Sequence, residues 1–211
     1  MKTLYSLVLS SEIVDEIDKI AYERGVNRSK LVNQILAEYV RVMTPEMQVN
    51  NMFSEIEGLL SSYFDSFTNL GRAVEMKRAL DVKYKPKITY ELQLSDVRGV
   101  KIGELKMQWR TQHEGVINCI THFVNMWAEA ERNVLPKELM KYIEHNLEDG
   151  RFTRNFVVLG KIDDSSICEG ISGYVKNFDR LLNASLSGKM KSLREIEEEY
   201  LKYIDNGGYV I

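Results

Sequence analysis

Cys119 and His122 stand three residues apart in the uncharged run Gly115–Ala128. On a helix that spacing turns a thiolate and an imidazole toward the same side, where both could ligate one metal ion. A complete site needs one or two more ligands, and His113, His145 and Cys168 are the remaining soft candidates. Small thiols in apolar helices are far more often packed than ligating, so the run predicts a buried core helix and no metal. A second pattern with chemistry is Leu105-Lys-Met-Gln-Trp-Arg110, which alternates like a strand. It predicts Leu105, Met107 and Trp109 inward and Lys106, Gln108 and Arg110 outward. That outward face suits phosphate or base edges, although a solvated strand face is the simpler reading. No glycine-rich phosphate loop, nucleophile elbow or paired-histidine zinc motif occurs, and the run Glu197-Glu198-Glu199 reads as a solvated helix face. The sequence therefore predicts no enzyme, no cofactor and no metal.

The elements that would position a binding surface begin at the N-terminus. Tyr5, Leu7 and Leu9 fall on one face of a short strand. Ser10 or Ser11 can cap a helix with Ile13, Ile17, Ile20 and Ala21 on its apolar side. Gly25 closes that helix, and Asn27 can cap a second one carrying Leu31, Ile35, Leu36, Tyr39 and Val40. The order and spacing resemble the ribbon-helix-helix family of Arc and MetJ type, β-ribbon readers of DNA. The resemblance rests on Leu9-Ser10 and on Gly25-Val-Asn-Arg-Ser-Lys-Leu31, which is similar to the family's Gly-x-Ser-[Arg/Lys]-Ser-x-[Leu/Met] turn with Asn27 for the first serine. It covers about a fifth of the chain.

That resemblance implies a homodimer, since a unit this small cannot bury a core alone. Two strands would pair antiparallel above four intertwined helices. It also implies a double-stranded DNA partner. Lys2, Leu4, Ser6 and Val8 would face the major groove, and Asn27, Arg28, Ser29 and Lys30 would clamp a phosphate at a helix N-terminus. The implied function is a sequence-specific DNA-binding protein, a transcriptional repressor or other regulator, or an organiser of a plasmid or phage DNA complex. Residues 1–44 balance six Lys/Arg against six Asp/Glu, and Leu4 and Val8 reach only thymine methyls. These features favour the alternative of a dimeric scaffold, adaptor or antitoxin-like protein whose C-terminal domain binds a protein partner.

Beyond residue 43 the pattern predicts a long amphipathic helix over 44–80. Thr44-Pro45 would start it, and a seam would run through Val49, Phe53, Ile56, Leu60, Tyr63, Phe67, Leu70 and Val74. Residues 72–110 carry a net charge of +5, and Ile88–Leu94 with Leu105–Trp109 predict a hairpin or small sheet. Helices are expected over about 114–132 and from Pro136 to near Gly150, followed by a short strand at Phe156–Leu159. Capping boxes at Ser166/Glu169 and Ser192/Glu195 predict two more helices, and Tyr209–Ile211 forms an apolar tail. A second, diverged strand-helix-helix unit around 133–139 is a remote alternative. The fold class expected is mainly α with small β elements: a ribbon-helix-helix module (1–43), the long helix, and a mostly helical α+β C-terminal domain (81–211).

Across 211 residues, 44% hydrophobic and 28% charged composition fits a folded soluble protein of one or two domains. The net charge of −3 excludes a protein that coats nucleic acid non-specifically. Two cysteines make no disulfide framework, and the 14-residue uncharged run is too short to span a bilayer. No signal peptide is evident, which points to a cytoplasmic protein without a membrane partner.

Overall fold

The computed structural model describes residues 4–71, 73–80, 85–95 and 100–205. The chain divides into two compact units, Met1–Gln48 and Val49–Ile211.

In the first unit, α1 (Ser11–Glu23) and α2 (Arg28–Tyr39) are joined by the turn expected at Gly25. Gly25 sits at φ +61°, where a side chain would strain the backbone. The Val26 amide donates to Ala21 O at 2.9 Å and the Gly25 amide to Tyr22 O at 3.1 Å, so two of the terminal carbonyls of α1 find partners. Asn27 Oδ1 accepts from the Lys30 amide at 2.9 Å and starts α2 as its cap. Ser10 occupies the cap position of α1 without a side-chain hydrogen bond. The strand expected at 5–9 is not formed within one chain: residues 4–10 take no regular structure. A lone segment has no ladder partner, so its alternation cannot become a strand unaided.

The helix expected over 44–80 is cut short. α3 spans Pro45–Leu60, and Met52, Phe53, Ile56 and Leu60 enter the core as a helical seam should. The continuation through Phe67 and Val74 belongs instead to a hairpin of β1 (Ser66–Asn69) and β2 (Ala73–Ala79). Asn69 Oδ1 accepts from the Gly71 amide at 2.8 Å, a local turn bond at the reversal between β1 and β2. Val74 and Met76 are then buried with a period of two.

The second unit is not a mostly helical domain with a small hairpin. With β3 (Lys87–Leu94), β4 (Lys101–Trp109), β5 (His145–Glu148) and β6 (Arg151–Val157), it holds one six-stranded antiparallel sheet in the order β1-β2-β3-β4-β6-β5. The architecture is mixed α/β. The segment expected to be helical from Pro136 to Gly150 makes one turn, α5 (Lys137–Met140), before β5. No second strand-helix-helix module arises there, because the chain goes straight back into the sheet. α4 (Glu114–Val134), α6 (Asp164–Leu186) and α7 (Leu193–Asp205) match the helices expected. Asp163, rather than Ser166, caps α6: its Oδ1 accepts from the Ser166 amide at 2.9 Å. The reciprocal box at α7 forms, with Ser192 N donating to Glu195 Oε2 at 3.0 Å and Glu195 N to Ser192 Oγ at 3.4 Å. The Tyr209–Ile211 tail lies outside the described residues.

One sheet face packs against helices. Phe178 of α6 contacts Tyr90 of β3 and Phe152 of β6, while Tyr174 meets Phe156 edge to face. Trp127 of α4 meets Phe178 and Tyr174 of α6 and Tyr200 of α7. The other face is polar and half-exposed, with Glu75, Thr89, Glu91, Lys106, Gln108 and Thr153. The register shifts between Lys101 and Gly103 where β4 meets β6. A Cβ on Gly103 would lie 2.5 Å from the Gln93 carbonyl oxygen on β3. Backbone cannot yield there, so Gly103→Ala should lower unfolding stability by about 1–3 kcal/mol, read from urea denaturation. Wild-type stability in that variant would contradict the close approach.

Candidate functional site

The candidate surface lies at the start of α2. The Asn27 cap leaves the chain extended at that position (φ −82°, ψ 157°) and places Arg28, Ser29 and Lys30 in the first helical turn. Free amides and the positive end of the helix dipole favour an anion at such a point. Both cations have partners within the unit. Arg28 Nε donates to Asp18 Oδ1 at 2.6 Å, its Nη2 binds Oδ2, and Lys30 pairs with Glu46. The hydrogen bond from Arg28 holds the Asp18 carboxyl below its ordinary range, and Asp18 in turn raises Arg28. Helical periodicity within either element could not reveal this pair, because its members are ten residues apart across a turn.

Of the expected groove residues, Leu4, Ser6 and Val8 are exposed, Leu4 at 97% and Val8 at 101%. Lys2 lies outside the described residues. Tyr5, Leu7 and Leu9, expected on the inward side, are exposed as well. The surface of the second unit offers less. Lys106 and Gln108 do face outward from β4 and Arg110 follows the strand, but Lys106 Nζ donates to Glu91 Oε2 at 3.2 Å. Lys77 likewise pairs with Glu75 on its own strand at 2.6 Å. Two of the lysines that contribute to the net charge of residues 72–110 are thus paired with carboxylates of the same segment.

Cys119 and His122 are exposed, not packed as expected, because the apolar side of α4 runs through Ile120, Phe123, Val124 and Trp127. The remaining soft ligands are elsewhere engaged. Cys168 is buried, its thiol pushed up to about 12 by burial, with Sγ 3.6 Å from Met52 O. Among the described residues no group of three or more His, Cys, Asp or Glu side chains could hold a metal ion. Among them, too, no helix is long and apolar enough to cross a membrane.

Among the described residues, two buried carboxylates are ones the sequence pattern does not single out as a site. Glu131 of α4 accepts from Arg154 Nη2 at 3.1 Å, His145 Nε2 at 2.5 Å, Tyr200 Oη at 3.2 Å and Tyr174 Oη at 3.3 Å. Trp127 Nε1 donates to Tyr174 Oη at 2.8 Å. Burial works to raise Glu131, but the Arg154 charge and the bonds from His145 and Tyr200 hold it below the carboxylate range. The Arg154 guanidinium also lies over the rings of Tyr174 (4.6 Å) and Phe156 (5.1 Å). Asp179 of α6 accepts from Arg78 Nη1 at 2.7 Å, Tyr90 Oη at 2.9 Å and Tyr63 Oη at 3.2 Å. There burial prevails over the Arg78 charge and raises the carboxyl. The Glu131–Arg154 pair is sealed from solvent and ties α4, α6 and α7 to the sheet, while Asp179 ties α6 to β2 and β3 with Arg78 partly in water. The only signal in the sequence was a charged residue on an otherwise apolar helix face.

No protein-family model, curated protein or solved structure matches the chain.

Glu131→Gln strands Arg154, which is 1% exposed, and should cost about 3–5 kcal/mol. Asp179→Asn should cost less, since the Arg78 side chain keeps 24% of its surface in water. The signs with pH are opposite. Lowered Glu131 contributes stability that is present at neutral pH and lost as pH falls through its folded value; raised Asp179 contributes stability at low pH that is lost as pH rises through its own. Urea titrations across pH 3–8 should show the Glu131→Gln deficit shrinking toward acid. A deficit independent of pH would refute the ionised cluster.

Proposed function

We propose that the chain is a homodimeric DNA-binding protein, a transcriptional regulator or an organiser of a plasmid or phage DNA complex. Its first unit would be completed by a second copy. One observation carries this reading. Nineteen large apolar side chains are exposed among the described residues, and thirteen of them lie between Leu4 and Met43. They include the inward ribbon set Tyr5, Leu7 and Leu9, the helix residues Ile13, Ile35, Leu36 and Tyr39, and Val40 just after α2. A patch of that kind calls for a partner, and an antiparallel pairing of residues 5–9 would satisfy the open ladder while covering it. In such a dimer Leu4, Ser6 and Val8 remain on the outer side of the ribbon. Asn27, Arg28, Ser29 and Lys30 supply the helix end that meets phosphate, and Lys106, Gln108 and Arg110 are a second basic face.

A second reading is favoured by the ion pairs Arg28–Asp18 and Lys30–Glu46 and by the apolar outer positions Leu4 and Val8. In it the first unit only dimerises, and the second unit recruits a protein partner as a scaffold, adaptor or antitoxin-like protein. Fluorescence anisotropy with a labelled duplex across a salt series separates the two. DNA binding predicts that Arg28→Ala weakens affinity evenly across sequences and lowers the salt slope by about 1. Affinity and slope equal to wild type would remove Arg28 from the interface, and no duplex binding at low salt would favour the scaffold.

A further inference from the structure

The guanidinium that the DNA-binding reading assigns to a phosphate is already occupied by a carboxylate. Arg28 grips Asp18 in bidentate fashion, Nε to Oδ1 at 2.6 Å and Nη2 to Oδ2. This fork geometry is the one by which arginine takes two oxygens of a phosphodiester. The carboxylate and a phosphate therefore compete for the same two N–H groups. The side chains keep 55% and 45% of their surface in water, so an incoming anion can reach the pair. Asp15, one turn earlier on α1, adds negative charge that Arg28 also senses. The α2 start does not depend on Asp18: the Gly25 turn and the Asn27 cap are held by their own hydrogen bonds.

We propose that Asp18 is a built-in competitor for phosphate at Arg28, so that the first unit engages DNA only by displacing it. This rests on the DNA-binding reading above. When Arg28 swings to a phosphate, Asp18 is left unpaired beside a second anion, and the repulsion lowers affinity. Lys30 meets a related opposition from Glu46, but a lysine is a point charge without the fork. Asp18 is accordingly the stronger restraint. It keeps contact with arbitrary DNA weak, leaving a target to be selected by what the ribbon touches.

The test is anisotropy of the full-length protein with a labelled mixed-sequence duplex, at several salt concentrations. Wild type would be compared with Asp18→Asn, the double variant Asp18→Asn/Arg28→Ala, and Glu16→Gln. The last makes the same change of net charge on the same helix without freeing Arg28. Circular dichroism confirms that each variant keeps its helices. Asp18→Asn is expected to tighten binding about threefold or more at low salt, with the gain fading as salt screens the charges. The gain should vanish in the double variant, and Glu16→Gln should not reproduce it. An Asp18→Asn affinity no higher than that of a binding wild type would overturn the proposal, as would an equal gain from Glu16→Gln or a gain that survives loss of Arg28. If neither wild type nor Asp18→Asn binds duplex even at low salt, the DNA-binding reading itself falls, and the competitor with it.

Discussion

Ala21, Leu31 and Ala37 are the only side chains that the first 48 residues bury among those described, while the second unit buries a continuous core of aliphatic and aromatic groups. The free energy of folding comes mainly from removing apolar surface from water, and two short helices with an unpaired extended segment remove very little. This shortfall governs the account of the N-terminal unit. The turn at Gly25 is closed and α2 is capped, yet beyond Ala21, Leu31 and Ala37 the apolar side chains Ile13, Ile35, Leu36 and Tyr39 of these helices stay exposed. Partnering with a second copy is the arrangement that the ribbon-helix-helix resemblance implies. It would use the exposed Tyr5, Leu7 and Leu9 without any change in the helices.

The second unit solves the same problem within itself. Alternation on β2, β3, β4 and β6 builds one apolar face, and α6 covers it through Tyr174 and Phe178. Glu131 then joins α4, β5, β6, α6 and α7 through four donors, fixing how they meet. A buried ion pair adds little net stability over an apolar substitute, but losing one partner is costly. Its contribution here is to hold four donors from β5, β6, α6 and α7 on one carboxylate, although Arg154 Nε and Nη1 are buried without a hydrogen-bond partner.

Much of the local structure was legible in the residues. Gly25 and Asn27 are where a helix must stop and restart, Ser192 and Glu195 announce α7, and the alternation of Ile88–Leu94 and Leu105–Trp109 marks β3 and β4. The helix expected over 44–80 stops at Leu60: its steps of three and four run on through Phe67, Leu70 and Val74, but Leu70 lies exposed between β1 and β2, and Val74 and Met76 are buried with the strand period of two. The hydrogen bond from the Gly71 amide to Asn69 belongs to the reversal between β1 and β2. On α4 the run around Cys119 and His122 is apolar enough to be core, yet the seam through Ile120, Phe123, Val124 and Trp127 turns both residues outward. At the candidate site the positions of Arg28, Ser29 and Lys30 followed from the cap, whereas their acidic partners did not. Contacts between residues on different elements leave no periodic trace.

The measurement closest to the central claim is sedimentation equilibrium of the full-length protein at micromolar concentration, beside the double variant Leu7→Asp/Leu9→Asp. Pairing through the N-terminal segment predicts a wild-type mass of twice the 24.4 kDa chain and a variant that sediments as a folded monomer. A monomeric wild type, or a variant that remains dimeric, would contradict pairing through the N-terminal segment.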